Sequence, residues 1–267
     1  MDIRKMVFDA AEISEKAGEV LKEGFYKVYN EGTKYQLKGY ADPVTEYDKK
    51  SENIIISELL KKYPNSSILA EESGEYSTSK NIKWIIDPLD GTVNFIHSVP
   101  FVAISIGLEI DGEIVGGVIF NPILDEMYYG IKNEGSFLNG SRISVSNISS
   151  PQHSLIVTGF PYHREGRIEE LIKPLKVLLK EYQGFRRLGS ACMDLAYVAR
   201  GSFEVFYEEN LKPWDTSAGK IIVEEAGGKV TDYRGNKYSI YSKTIIASNG
   251  IIHDQIVKLL ENVSIPK

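Results

Sequence analysis

The stretch Trp84-Ile-Ile-Asp87-Pro88-Leu89-Asp90-Gly91-Thr92-Val-Asn94-Phe95 constrains the fold more than any other. Trp84 to Ile86 is an apolar run that reads as a buried strand. It delivers Asp87 and Asp90, three residues apart, into a turn stiffened by Pro88 and opened by Gly91. Both carboxylates therefore leave the sheet at one edge. Gly91-Thr92 then reads as a helix start, where free amides and the positive end of the helix suit a phosphate. Carboxylates gather hard cations, so the stretch points to metal-assisted phosphate chemistry. Asp also favours turns and N-caps, and taken alone the two aspartates fit those roles as well.

The rest of the chain decides between these readings. Its 267 residues can bury a substantial core, as one large domain or two joined halves. A net charge of -6 and a pI near 5.4 argue against a general nucleic-acid surface, which demands clustered positive charge. A small anionic substrate remains compatible if metal ions offset the local negative field. Cys192 is the one cysteine, which rules out an intramolecular disulfide and a multi-cysteine zinc site; it reads as a small core residue. His97, His153, His163 and His253 show no metal-ligand spacing and are left unassigned. The start resembles no signal peptide, and no apolar run approaches the roughly 18 residues that span a membrane. A cytoplasmic protein is expected.

Apolar residues at three- and four-residue steps predict a long amphipathic helix from Ile3 to about Tyr29. Glu31 to Pro43, which includes Lys38, is polar and broken by Gly and Pro, so it reads as a loop or weak hairpin. A second helix is expected from about Thr45 to Tyr63, with Thr45 and Asp48 at capping-box spacing. Ser66 to Ala70 predicts a short strand ending in Glu71-Glu72 and a glycine turn. Glu71 stands sixteen residues before Asp87, so a neighbouring strand would join it to Asp87 and Asp90 in a cluster that repels itself without a cation.

Strands at 101–110, 113–120 and 126–131 with a hairpin at Asn139-Gly140 predict an antiparallel meander. Beyond Pro151 strands and helices alternate. Strands are expected at 155–158, 185–188, 203–208, 229–231 and 244–247, with helices at 167–182, 190–199, after Trp214-Asp215 and at 252–263. The first half, 1–150, reads as α+β and the second, 151–267, as α/β, within a layered architecture.

Asp42-Pro-Val-Thr45-Glu-Tyr-Asp48, Ala70-Glu71-Glu72-Ser-Gly74, the Trp84–Phe95 stretch, Trp214-Asp215-Thr-Ser-Ala218-Gly219 and Glu225-Ala-Gly-Gly228 occur in an order that resembles the inositol monophosphatase family of Mg²⁺-dependent, lithium-sensitive phosphatases. Ser217 departs from the Ala or Cys more usual there, a small residue for a small one. The resemblance implies a layered α-β-α-β-α sandwich forming one catalytic unit, with two or three Mg²⁺ ions held by Glu71, Asp87, Asp90, Asp215 and the Leu89 carbonyl. It also implies a metal-activated water as nucleophile, served by Glu71 and by Thr92, which Asp48 positions, with Lys38 near the metals. Gly91 and Thr92 amides beside Asp90 would hold the phosphate.

Substrate contacts are implied at Glu208, seven residues before Asp215, and at Leu188, Gly189 and Ser190. Arg186 and Arg187, or Arg164 and Arg167, are candidates for a second phosphate through guanidinium forks, and they are equally open to surface salt bridges. Prokaryotic members of the family that cleave both inositol monophosphate and fructose 1,6-bisphosphate make that dual activity the expectation. Alternatives are a 3'-phosphoadenosine 5'-phosphate phosphatase and a non-catalytic regulator that keeps the fold. The expected partners are a small phosphorylated sugar or polyol and a second copy in a homodimer, with no nucleic acid and no membrane.

Overall fold

Fifteen strands and seven α-helices alternate along the computed structural model, which describes residues 1–39, 42–76, 78, 81–162 and 164–263. His163 and the middle of the 31–43 loop, residues 40 and 41, lie outside the described residues. In chain order the elements are α1 (Ile3–Glu31), β1 (Tyr35–Gly39), β2 (Asp42–Thr45), α2 (Glu46–Lys62), β3 (Ser67–Ala70), β4 (Gly74–Tyr76), β5 (Ile82–Asp90) and α3 (Thr92–Ile96). They continue with β6 (Ala103–Ile110), β7 (Glu113–Asn121), β8 (Glu126–Ile131), β9 (Gly135–Leu138), β10 (Ser141–Ile143), β11 (Leu155–Thr158) and α4 (Ile168–Glu181). The chain closes with β12 (Gly184–Arg186), α5 (Ala191–Ala199), β13 (Val205–Glu209), α6 (Pro213–Glu225), β14 (Lys229–Thr231), β15 (Thr244–Ser248) and α7 (His253–Val263).

Two sheets carry the architecture. The larger has eight strands in the order β10-β9-β8-β7-β6-β5-β3-β4, and the smaller has five in the order β12-β11-β13-β15-β14. Side-chain alternation along β5, with cores on both faces, explains why Trp84 to Ile86 are all apolar. Trp84 and Ile86 enter one core with α1 and α2, whereas Ile85 enters the next with α5 and α6. A third core joins the smaller sheet to α4 and α7. The layers therefore run helix, sheet, helix, sheet, helix, as the family resemblance implies.

Helix α6 lies unusually close to the larger sheet. A Cβ added at Gly107 would sit 2.7 Å from Ser217 Cβ, at Gly117 2.6 Å from Ala218 Cα, and at Gly130 2.9 Å from Ile222 Cα. Three adjacent strands thus offer bare backbone where the helix rests.

Several boundaries differ from expectation. The buried strand runs nine residues, Ile82–Asp90, rather than three, because it pairs with both β3 and β6. The strand expected from Phe101 begins at Ala103. The glycine turn after Glu72 continues into β4, an edge strand antiparallel to β3. The strand expected to reach Leu188 ends at Arg186, the last residue that pairs with β11, before Gly189 turns at φ +92°. Among the described residues no helix is long and apolar enough to cross a membrane.

Candidate active site

β5 and β3 run parallel with Ala70 opposite Ile86, which carries Glu71 to the same edge as Asp87 and Asp90. A register shift between Asp87 and Asp90 marks the irregular turn at that edge, and the Leu89 amide donates to Asp87 Oδ1 at 3.0 Å. Gly91 takes φ +87°, with the Phe101 carbonyl oxygen only 3.0 Å from where a Cβ would stand. The helix that follows, α3, has five residues. The anion site expected there therefore depends on free amides, with little macrodipole to assist.

The second half closes the site from across the core. Ser190 caps α5 and its hydroxyl donates to Asp90 Oδ2 at 2.6 Å; the Cys192 amide donates to the same oxygen at 2.7 Å. Asn94 Nδ2 bonds the carbonyls of Phe101 and Leu188 at 2.7 and 2.8 Å. Gly189 O lies 3.3 Å from the Cβ position of Gly91, so the 188–190 turn packs onto the Gly91 turn. Asp215, in the first turn of α6, accepts from the Lys212 amide at 2.6 Å.

Electrostatics separates these acids from ordinary surface carboxylates. Burial and then Glu71, Asp90 and Asp215 all push Asp87 upward, and its carboxyl shares a hydrogen bond with Glu71. Burial likewise raises Asp215, with Asp90 and Glu71 adding, while in Asp90 the Ser190 and Cys192 donors oppose the rise. Burial lifts Glu71 to about 7 even though Lys38 Nζ donates to its Oε1 at 2.6 Å and to Glu72 Oε1 at 2.7 Å. Four mutually destabilising carboxylates fit a hard divalent cation.

Thr45 and Asp48 form the capping box expected from their spacing. Asp48 Oδ2 accepts from the Thr45 amide and hydroxyl at 2.8 and 2.6 Å, and its Oδ1 lies 2.9 Å from Thr92 Oγ1. The same Thr92 hydroxyl is 3.1 Å from the Leu89 carbonyl. Glu208 sits on β13 with its carboxyl against Gly159, 2.2 Å from where a Cβ would stand. Burial pushes Glu208 up to about 8, opposed chiefly by Arg187.

The arginines part company. Both Arg186 and Arg187 are exposed, but Arg187 faces Glu208 whereas Arg186 bonds the neighbouring Phe185 carbonyl at 2.9 Å. Arg167 grips both Glu209 oxygens at 3.0 and 3.1 Å, which is the salt-bridge alternative. Sequence reasoning also missed what surrounds Cys192. It is a buried core residue as expected, yet its thiol donates to the Asp215 carbonyl at 3.3 Å and lies within 4.8 Å of carboxylate oxygens of Asp87 and Asp90. Its place two residues beyond Ser190 was the available signal.

Comparison with known proteins now decides the family, because the family model described as "Inositol monophosphatase family" matches residues 2–264. The chain belongs to the inositol monophosphatase family. An inositol-1-monophosphatase of Rhizobium meliloti is 41% identical over 249 residues, covering 93% of this chain and 91% of the relative. The Nus factor SuhB of Salmonella typhimurium is 37% identical over 245 residues, covering 91% of each. The crystal structure of the extragenic suppressor protein suhB from Bartonella henselae superposes with a TM-score of 0.92 at 40% identity, covering 96% of this chain and 98% of that one. Membership makes the protein a phosphoric monoester hydrolase that acts on small phosphorylated substrates.

Proposed function

We propose that the protein is a Mg²⁺-dependent phosphomonoesterase that hydrolyses inositol monophosphate and also fructose 1,6-bisphosphate. The convergence of Glu71, Asp87, Asp90 and Asp215, each raised by burial, supports it most directly. Those residues and the Leu89 carbonyl would hold the metal. Bound Mg²⁺ would supply charge neutralisation on the phosphate and activation of the attacking water. Glu71 Oε accepts the proton of that water. Thr92 Oγ1, held by Asp48, orients it. Gly91 and Thr92 amides bind phosphate oxygens, and Lys38 counters the carboxylates before the metal arrives.

Glu208, with the 188–190 turn, would meet the polyol hydroxyls. A bisphosphate needs a second cationic contact. Arg167 is held by Glu209 and Glu170, so Arg186 and Arg187, beside that turn, are assigned to it. We read the chain as one catalytic unit whose halves, 1–150 and 151–267, meet at Asp90, working in the cytoplasm as a homodimer. The test is phosphate release from inositol 1-phosphate, fructose 1,6-bisphosphate and 3'-phosphoadenosine 5'-phosphate, with Mg²⁺ and with EDTA. Release from the first two that EDTA abolishes is expected; cleavage of the nucleotide alone would replace the substrate assignment.

A second reading, a regulator that keeps the fold, draws on the relative named Nus factor SuhB. A stoichiometric partner retained in a pull-down whether or not Mg²⁺ is present would favour it.

A further inference from the structure

Helix α4 carries more apolar surface than the smaller sheet covers. Leu178 and Tyr182 enter the third core, and Pro174, four residues before Leu178, is buried on the same face. Roughly a quarter of a turn aside, at about 3.6 residues per turn, stand Ile168, Ile172, Leu175 and Leu179. Ile168 and Leu179 are 60% and 59% exposed, and the two between them are partly exposed. A lone exposed apolar residue is ordinary, but four along one face of one helix make a stripe about 16 Å long.

The stripe faces away from the rest of the chain. α7 flanks α4 on one side, so the exposed stripe lies on the other, above β12. That strand is the outermost of the smaller sheet and, among the described strands, pairs with β11 alone. An uncovered apolar helix face above an open strand edge is a template for association.

The symmetry of the stripe says what covers it. Its steps of four, three and four residues read the same in both directions. A second α4 laid antiparallel across a twofold axis therefore sets Ile168 against the partner's Leu179 and Ile172 against the partner's Leu175, and no position is left over. Charge agrees with this seat. Glu169 and Lys176 flank the stripe on the side away from the sheet, with side chains 82% and 64% exposed. Within one chain they pair at 3.4 Å, a contact worth little at such exposure. Across the axis each Glu169 comes beside the partner's Lys176, so opposite charges meet twice. The same axis brings the two open β12 edges toward each other in antiparallel sense.

We propose that α4 is the surface through which two copies of this chain associate, antiparallel along Ile168, Ile172, Leu175 and Leu179, with Glu169 and Lys176 paired between copies. The inference deepens the homodimer reading given above and rests on it; it is independent of the phosphatase chemistry.

The test measures the mass of the full chain by analytical ultracentrifugation across micromolar concentrations. Wild type is expected at twice the 29.9 kDa of one chain. Ile168→Glu and Leu179→Glu alter side chains that the chain itself leaves open, so circular dichroism should be unchanged. Each is expected to raise the dissociation constant of the dimer by about 30-fold or more, the loss of an interface anchor. Glu169→Lys or Lys176→Glu alone should weaken the dimer about 2–10-fold, and the two together should restore it. A dimer unmoved by both glutamate variants overturns this surface and leaves the homodimer reading standing, whereas a wild type that sediments as single chains overturns both. A doubly exchanged protein no tighter than its single variants overturns the antiparallel seat.

Discussion

Asp48 and Asp87 are equally hidden, each 1% exposed, yet the protein treats them differently. Asp48 is served by its own chain. The Thr45 amide and hydroxyl donate to it, Thr92 reaches it from the next element, and all three oppose the upward push of burial. Around Asp87 the neighbouring carboxyls Glu71, Asp90 and Asp215 all push the same way as burial, with the Leu89 amide set against them. One carboxylate is a finished structural joint; the other is left repelling its neighbours, which on the proposed function a cation would relieve. Buried acids are thus not one class, and the difference lies in whether the fold itself supplies the counter-dipole.

The comparison is tested most severely by removing a charge from the unfinished side. Asp90→Asn should lower phosphate release by at least about 10²–10³-fold, while the metal-free protein melts no lower than wild type, since one repelling charge is gone. Wild-type turnover in that variant would sink the assignment of the cluster.

Metal removal should expose the repulsion through pH. Glu71 stands at about 7 in the folded chain against an ordinary 4.5, so the folded state binds more protons than the unfolded one between those values. Stability in EDTA should therefore fall as pH rises from about 4.5 to 7, with Asp87 and Asp215 acting in the same direction. Saturating Mg²⁺ should flatten that slope. Melting curves of the EDTA-treated protein that were level across this range would contradict the picture.

The finished side responds differently. Thr45→Ala removes a hydroxyl bonded to both Asp48 and the Tyr47 amide. It should cost about 1 kcal/mol, or about 2–4 °C in the thermal midpoint, with or without metal. A loss seen only when Mg²⁺ is bound would move Asp48 to the other category. The smallest effect is expected from Lys38→Ala. Its ammonium occupies Glu71 before the metal does, so its loss should lower the Mg²⁺ concentration for half-activation by roughly 2–5-fold, read from phosphate release against Mg²⁺.

What the sequence made legible follows the same division. Asp87, Asp90 and Thr92 lie within one turn of one motif, and Thr45 with Asp48 within one helix start, so local spacing was enough to find them. Asp215 came through a separate motif recognised as part of a family order. A layered mix of helix and strand followed from the periodicities, whereas the order of the five layers came only with the family resemblance. The contacts that close the site were out of reach, because Ser190 and Cys192 meet Asp90 across 100 and 102 residues. Arg167 could not be told from a phosphate ligand, since its partner Glu209 lies 42 residues away on another element. β4 was missed because its three residues include a glycine at positive φ and carry too little pattern to register.

The seat of α6 on Gly107, Gly117 and Gly130 sets a limit on how this enzyme can be improved. Replacing glycine by alanine commonly stabilises a protein by reducing the freedom of its unfolded chain. Here each added methyl would fall within 3 Å of a helix atom and lift the helix that presents Asp215. A thermostabilising library that treats these glycines as surplus flexibility would return sturdy proteins with a displaced fourth carboxylate. The aspartate is held in register by atoms the strands leave out.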